Sequence, residues 1–173
     1  MQPTKVKTPR EQRSKTPEQA LAALMRLCAR AEKSASDARR LLRGWGVPER
    51  EAEAVLARLI GERFIDDSRY AEAFVREKLR LSGWGEYKIR TALQRKAIRR
   101  EVIDAALEQV ERAGMGERLA EQLARKMRSV KYATAYELKT KLIRYGLSLG
   151  YDYETVIDAA SALVKDTDTC DEF

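Results

Sequence analysis

The chain has 173 residues, 44 % hydrophobic and 35 % charged, with a net charge of +7 and no histidine. That supports a modest core under a highly charged surface, and the missing imidazole removes Ser-His-Asp and Cys-His nucleophiles and histidine-bearing zinc sites. Cys28 and Cys170 are too few for a structural zinc centre, and neither a P-loop nor a dinucleotide-binding glycine fingerprint is present.

Isolated cysteines, no membrane-length apolar run and no hydrophobic leader predict a reduced, cytoplasmic protein that meets no membrane, and a monomer is expected. No enzymatic activity, cofactor or metal is expected. Alanine, leucine, glutamate, arginine and lysine dominate, which favours an all-helical fold. The charge is uneven. Residues 1–16 carry +4 and residues 166–173 carry −4, so the ends cancel and the whole +7 sits on the body. A basic body points to a polyanion or an acidic protein surface, unless its bases serve only as a solvated face.

Residues 1–15 are polar, basic and proline-punctuated, and predict a flexible arm. A first repeat is predicted over 16–64. Thr16 and Gln19 form a capping box around Pro17, and Leu21, Leu24, Met25, Cys28 and Ala31 make an apolar stripe. Cys28 within that stripe reads as a small buried hydrophobe. A second helix starts at Ser34 or Ser36 and places Ala38, Leu41, Leu42 and Trp45 inside. A third follows Pro48, with Ala52, Val55, Leu56 and Leu59 at helical spacing. Each helix is too short to be stable alone, so the three must share a core.

The second repeat, 65–114, opens with Asp66-Asp67-Ser68, short polar side chains suited to capping a helix. A magnesium-binding reading of the acidic pair is the lesser one. Tyr70, Ala71, Phe74, Val75 and the stem of Lys78 fall on one side of the next helix, which Gly83-Trp84-Gly85 ends. Ala38, Leu42 and Val47 recur as Ile89, Leu93 and Ile98 at an offset of 51, and Leu24 aligns with Phe74 at 50. Val102, Ile103, Ala106, Leu107 and Val110 mark a third helix. The third repeat, 115–165, brings Leu119, Leu123 and Met127, a Thr134–Glu137 capping box, and Leu138, Leu142, Gly146 and Leu147 aligned with Ile89, Leu93, Ala97 and Ile98 at 49. An insertion near 148–153 lengthens the turn before Val156, Ile157, Ala160 and Leu163. Residues 166–173 form an acidic C-terminal tail. A period near 50 seen three times predicts an elongated tandem array of three three-helix repeats.

Asp66-Asp67-Ser68-Arg69-Tyr70-Ala71 resembles the Asp-Asp-x-x-Tyr/Phe-Ala run of the RecX family, bacterial regulators of the RecA recombinase. Gly83-Trp84-Gly85-Glu86-Tyr87-Lys88-Ile89, with Leu93 and Lys96-Ala97-Ile98, is similar to the family's G-x-G-x-x-R/K-I-x-x-x-L-x-x-K-G-I, although Ala97 stands where glycine is usual. Arg30-Ala31-Glu32-Lys33-Ser34 resembles its R-R-E-Y/H-S, with Ala31 in place of an arginine and Lys33 in place of an aromatic. The ordered combination, from about Pro17 to Ala160, carries the resemblance. It implies that the array is curved and is an all-α modulator that binds the RecA filament on single-stranded DNA and limits its growth, ATPase activity and strand exchange.

Bases on the outer faces of successive helices are the candidates for such contacts: Arg69, Arg76 and Arg80 on one stripe, then Lys88 and Arg95 on the next with Lys96, Arg99 and Arg100 beside them, and in the third repeat Lys139 and Arg144. DNA is expected to be met directly or through the filament. The alternatives are a helix-turn-helix-like DNA binder without a recombinase partner, poor in base-reading residues apart from Gln94, and a helical adaptor for another protein.

Overall fold

A computed structural model describes residues 14–110 and 113–168, nine α-helices with no strand among the described residues. The described residues divide into two compact units at Tyr70–Ala71. Nearly all of the basic arm, and the tail beyond residue 168, lie outside them. Among the described residues, no helix is long and apolar enough to cross a membrane.

The first unit holds α1 (Pro17–Cys28), α2 (Ala35–Gly44), α3 (Glu49–Gly61) and the start of α4 (Asp67–Ser82). The capping box forms, with the Gln19 amide donating to the Thr16 hydroxyl at 3.3 Å and the Thr16 amide donating to the Gln19 side chain at 3.2 Å. Lys15 is tied down. Its amide donates to the Trp45 carbonyl at 2.9 Å, and its ammonium sits 4.3 Å from the Trp45 ring centre. The acidic pair serves two helices at once. Asp66 accepts from the amides of Ser68 and Arg69, while Asp67 accepts from Ala35 at the start of α2. Leu24, Leu42, Leu56, Leu59 and Ile65 fill the core, with Leu21, Met25 and Cys28 half-buried against it and Ala31 exposed.

The second unit holds the rest of α4, with α5 (Glu86–Arg95), α6 (Arg100–Glu108), α7 (Ala113–Met127), α8 (Ala135–Leu149) and α9 (Tyr153–Asp168). The buried line of α4 is Ala71, Val75 and Leu79, so the expected stripe is corrected by one residue; Tyr70 and Phe74 are half-buried. Leu24 therefore corresponds to Val75 at an offset of 51. α5 and α6 pack on each other and bury Ile89, Leu93, Ile103 and Ala106. α7, α8 and α9 pack mutually around Leu119, Leu123, Leu138, Leu142, Tyr151 and Val156. α9 continues to Asp168, into the stretch read as tail.

One helix ending recurs, and its hydrogen bonds also close α3, where Arg63 is left-handed and the half-buried Phe64 follows. A left-handed residue follows α2, α5 and α8, namely Gly46, Ala97 and Gly150, and a buried residue follows each: Val47, Ile98 and Tyr151. In each, the buried residue's amide reaches a carbonyl five positions back and the left-handed residue's amide one three positions back, which satisfies orphan helix carbonyls. This overturns the alignment of Gly146-Leu147 with Ala97-Ile98. α8 runs to Leu149, Leu147 is 40 % exposed, and the expected longer turn is largely extra helix. Gly146 instead admits α9, since a methyl there would lie 2.7 Å from Val156 Cγ1.

Candidate nucleic-acid interface

The ten bases singled out from the sequence divide by what they touch. Arg69, in the first unit, is committed internally. Its Nε donates to Glu32 at 2.6 Å, and a terminal nitrogen donates to the carbonyls of Arg63 at 3.2 Å and Phe64 at 3.4 Å. The Glu32 hydrogen bond holds its guanidinium pKa above the ordinary value. It clamps the turn in which Arg63 takes a left-handed φ of 59°.

In the second unit, Arg76 and Arg80 are exposed one turn apart on α4. With Arg118 of α7 they line a groove of about 320 Å³ whose apolar wall includes Val75, Leu79 and Val110. Arg118 was missed in the sequence because only tertiary packing brings it to α4.

A second groove, about 260 Å³, lies between α5 and the end of α8, with Lys88 and Arg95 on its walls beside Trp84, Tyr87 and Leu147. The glycines build it. Gly83, at φ 61°, ends α4. Gly85 presses against the α8–α9 turn so closely that a methyl on it would lie 2.5 Å from the Tyr151 nitrogen and nearer still to the Gly150 carbonyl. The amides of Gly85 and Tyr87 donate to the carbonyls of Leu149 (2.8 Å) and Gly150 (3.1 Å). The unfilled donors opening α5 thus meet unfilled acceptors closing α8.

Trp84 packs edge-on to Phe74, ring centres 6.3 Å apart, and the ammonium groups of Lys78 and Lys88 lie 5.4 Å and 4.8 Å from its ring centre. Lys88 also donates to the Ser148 carbonyl at 3.0 Å. Tyr87 projects outward, 73 % exposed.

Of the remaining candidates, Lys96 and Lys139 are half-buried, while Arg99, Arg100 and Arg144 are exposed. Arg99 and Arg100 open α6, the positive end of its dipole, where bases are electrostatically unfavourable. Asp104 offsets Arg100 at 3.6 Å. Asp104 and Glu86 also hold Arg90, whose guanidinium pKa is raised by the Asp104 hydrogen bond first, against a desolvation cost. A third cavity, about 660 Å³, is lined by Glu86, Arg90, Met115, Tyr151 and Asp152. Its carboxylates make it the least suited of the three to a polyanion. Burial pushes the Tyr151 phenol pKa up, and its hydroxyl has no hydrogen-bond partner among the described residues.

A family model described as "RecX, second three-helix domain" matches residues 66–107, the span of α4 to α6. A regulatory protein RecX of Pseudomonas fluorescens is 41 % identical over 83 residues, covering 48 % of this chain and 53 % of that protein. One of Mycolicibacterium vanbaalenii is 34 % identical over 115 residues, covering 66 % and 62 %. The chain spans about half the length of most of the curated relatives it matches. A crystal structure of regulatory protein RecX superposes with a TM-score of 0.75 at 23 % identity, covering 87 % of this chain and 73 % of that one. The matched domain and the named relatives agree in making the chain similar to the RecX family, and the solved structure shares its all-α repeat fold.

Proposed function

We infer that this protein is a non-catalytic regulator of RecA: it binds the RecA filament on single-stranded DNA and slows its growth, ATP hydrolysis and strand exchange. The observation that carries this reading is a contrast among arginines. Arg39, Arg58, Arg69, Arg90 and Arg100 are each held by a carboxylate. Arg76, Arg80, Arg95, Arg99 and Arg144 are exposed and make no ion pair among the described residues. Exposed cations held by nothing internal suit an external polyanion or acidic surface. The likeness to regulatory proteins RecX supplies the partner. The same reading takes 16–64, 65–114 and 115–165 as tandem repeats, which the recurring helix ending supports.

The test is the DNA-dependent ATPase of the cognate RecA. Inhibition is expected at amounts well below one copy per recombinase subunit, with tighter association to RecA-coated strands than to bare ones. Inhibition only when the strand is saturated, with bare DNA bound at least as tightly, would replace the regulator with a plain DNA-binding protein.

A further inference from the structure

We propose that the groove between α5 and the end of α8 takes an unpaired nucleobase of a single-stranded nucleic acid, stacked on Tyr87, with the adjoining phosphates on Lys88 and Arg95. This rests on the reading that the protein works on DNA-loaded filaments, and it adds that the strand itself is touched. The groove is cationic without a compensating acid: no carboxylate lines it, whereas Glu72 lines the α4–α7 groove and Glu86 and Asp152 the cavity of about 660 Å³.

Its aromatic groups are divided in role. Trp84 is pinned by Phe74 and two ammonium groups, while the Tyr87 ring makes no ring contact among the described residues. Tyr87, Thr91 and Arg95 stand at i, i+4 and i+8, an outward line about 12 Å long. An exposed ring followed along one line by a cation matches a strand whose bases and phosphates alternate. Lys88 spends one of its three donors on Ser148 and keeps two. The half-exposed Leu147 supplies an apolar rim. A duplex cannot be read this way, because its bases already cover one another's faces.

The experiment compares binding of an intact oligonucleotide, the same strand with abasic sites and a duplex, by fluorescence anisotropy. Wild type should bind the intact strand about five- to a hundredfold more tightly than the abasic one, the range one base–aromatic stack commands. Tyr87→Ala should erase that difference, Tyr87→Phe should keep it, and Arg95→Glu should weaken both strands alike. Tyr87 is exposed, so these variants leave the core intact, and unchanged urea midpoints verify it. A 2-aminopurine in the strand should be quenched by wild type and not by Tyr87→Ala.

Equal affinity of wild type for intact and abasic strands overturns the proposal. So does a Tyr87→Ala variant that binds bare strands normally but loses RecA-coated ones; the groove would then hold a protein surface, and the regulator reading would stand. Stacking without any effect on RecA would keep the proposal and remove the regulator reading.

Discussion

Gly85→Ala adds one methyl group and should cost far more than its size. The methyl would lie 2.5 Å from Tyr151 N and nearer still to the Gly150 carbonyl, and backbone on both sides leaves no flexible side chain to yield. Relief requires α5 to lift from the α8–α9 turn, which breaks the hydrogen bonds from Gly85 to Leu149 and from Tyr87 to Gly150. Each buried backbone group left unsatisfied costs about 1–3 kcal/mol, so a loss of about 2–5 kcal/mol is expected, with the low end applying if water enters the gap. Gly116→Ala makes the opposite case. It lies inside α7 with open space around it, so the same substitution should stabilise by about 1 kcal/mol. Urea unfolding followed by far-ultraviolet circular dichroism gives both midpoints, and an unchanged slope assigns the shift to stability. A Gly85→Ala protein within about 0.5 kcal/mol of wild type, on the scale of an ordinary surface change, would refute the close approach.

Ala97→Gly should stabilise by about 0.5–1 kcal/mol, because Ala97 holds a φ of 56° that glycine adopts without strain; a lower urea midpoint would contradict this. Leu93→Ala should cost about 2–5 kcal/mol, since Leu93 is fully buried, and Phe74→Ala distinctly less, since Phe74 is half-buried; equal losses would return Phe74 to the core. The Thr155 hydroxyl and amide hold the Asp152 carboxyl pKa below its usual value, so its capping contribution is present above the ordinary carboxylate range and fades as pH falls through the folded value. Asp152→Asn should therefore flatten the acid limb of the stability curve, measured by urea midpoints across acid pH. Arg69→Ala should cost about 1 kcal/mol as a half-exposed clamp and leave RecA inhibition unchanged, while Arg76→Glu with Arg80→Glu should spare stability and weaken binding.

Helical periodicity and capping chemistry found the all-α fold, most of the buried positions and the Asp66 cap, because each is local, whereas Asp67 caps the distant start of α2. They failed where the deciding contact is distant in sequence. Leu147 sits at the spacing of Ile98, yet the helix end that matters is Gly150-Tyr151, which becomes visible only when α8 is seen to run one turn further. Phe74 fits an apolar stripe as well as Val75 does; Trp84, brought back against it by the left-handed turn at Gly83, draws Phe74 to the rim. Arg69 reads as one more exposed base until Glu32 and the Arg63 and Phe64 carbonyls are placed beside it. Arg118 reads as an ordinary base of α7 until α4 is placed across from it. The Gly83-Trp84-Gly85 run was legible as a helix stop, but only half of its meaning was local: Gly83 supplies the left-handed turn, while Gly85 exists to meet a backbone 65 positions later.

That meeting decides how the basic groove can be tested. α5 begins where α8 ends, so positive and negative helix ends face each other, and Lys88 places its ammonium on the Ser148 carbonyl at the negative one. Lys88 therefore has a structural task besides any contact with a strand. Reversing it to glutamate would set a carboxylate against the carbonyl end of α8 and remove the cation over Trp84, so lost binding would be confounded with a loosened joint. Arg95 stands two turns beyond Tyr87 on the same line, exposed and making no ion pair among the described residues. Arg95→Glu leaves the joint untouched while cancelling the groove's net positive charge. Counterion release makes the consequence quantitative: removing one phosphate contact to a single strand should lower the slope of log affinity against log salt by about 0.7. A variant with wild-type urea midpoint and a flatter salt slope assigns Arg95 to the strand, and an unchanged slope removes it from the interface.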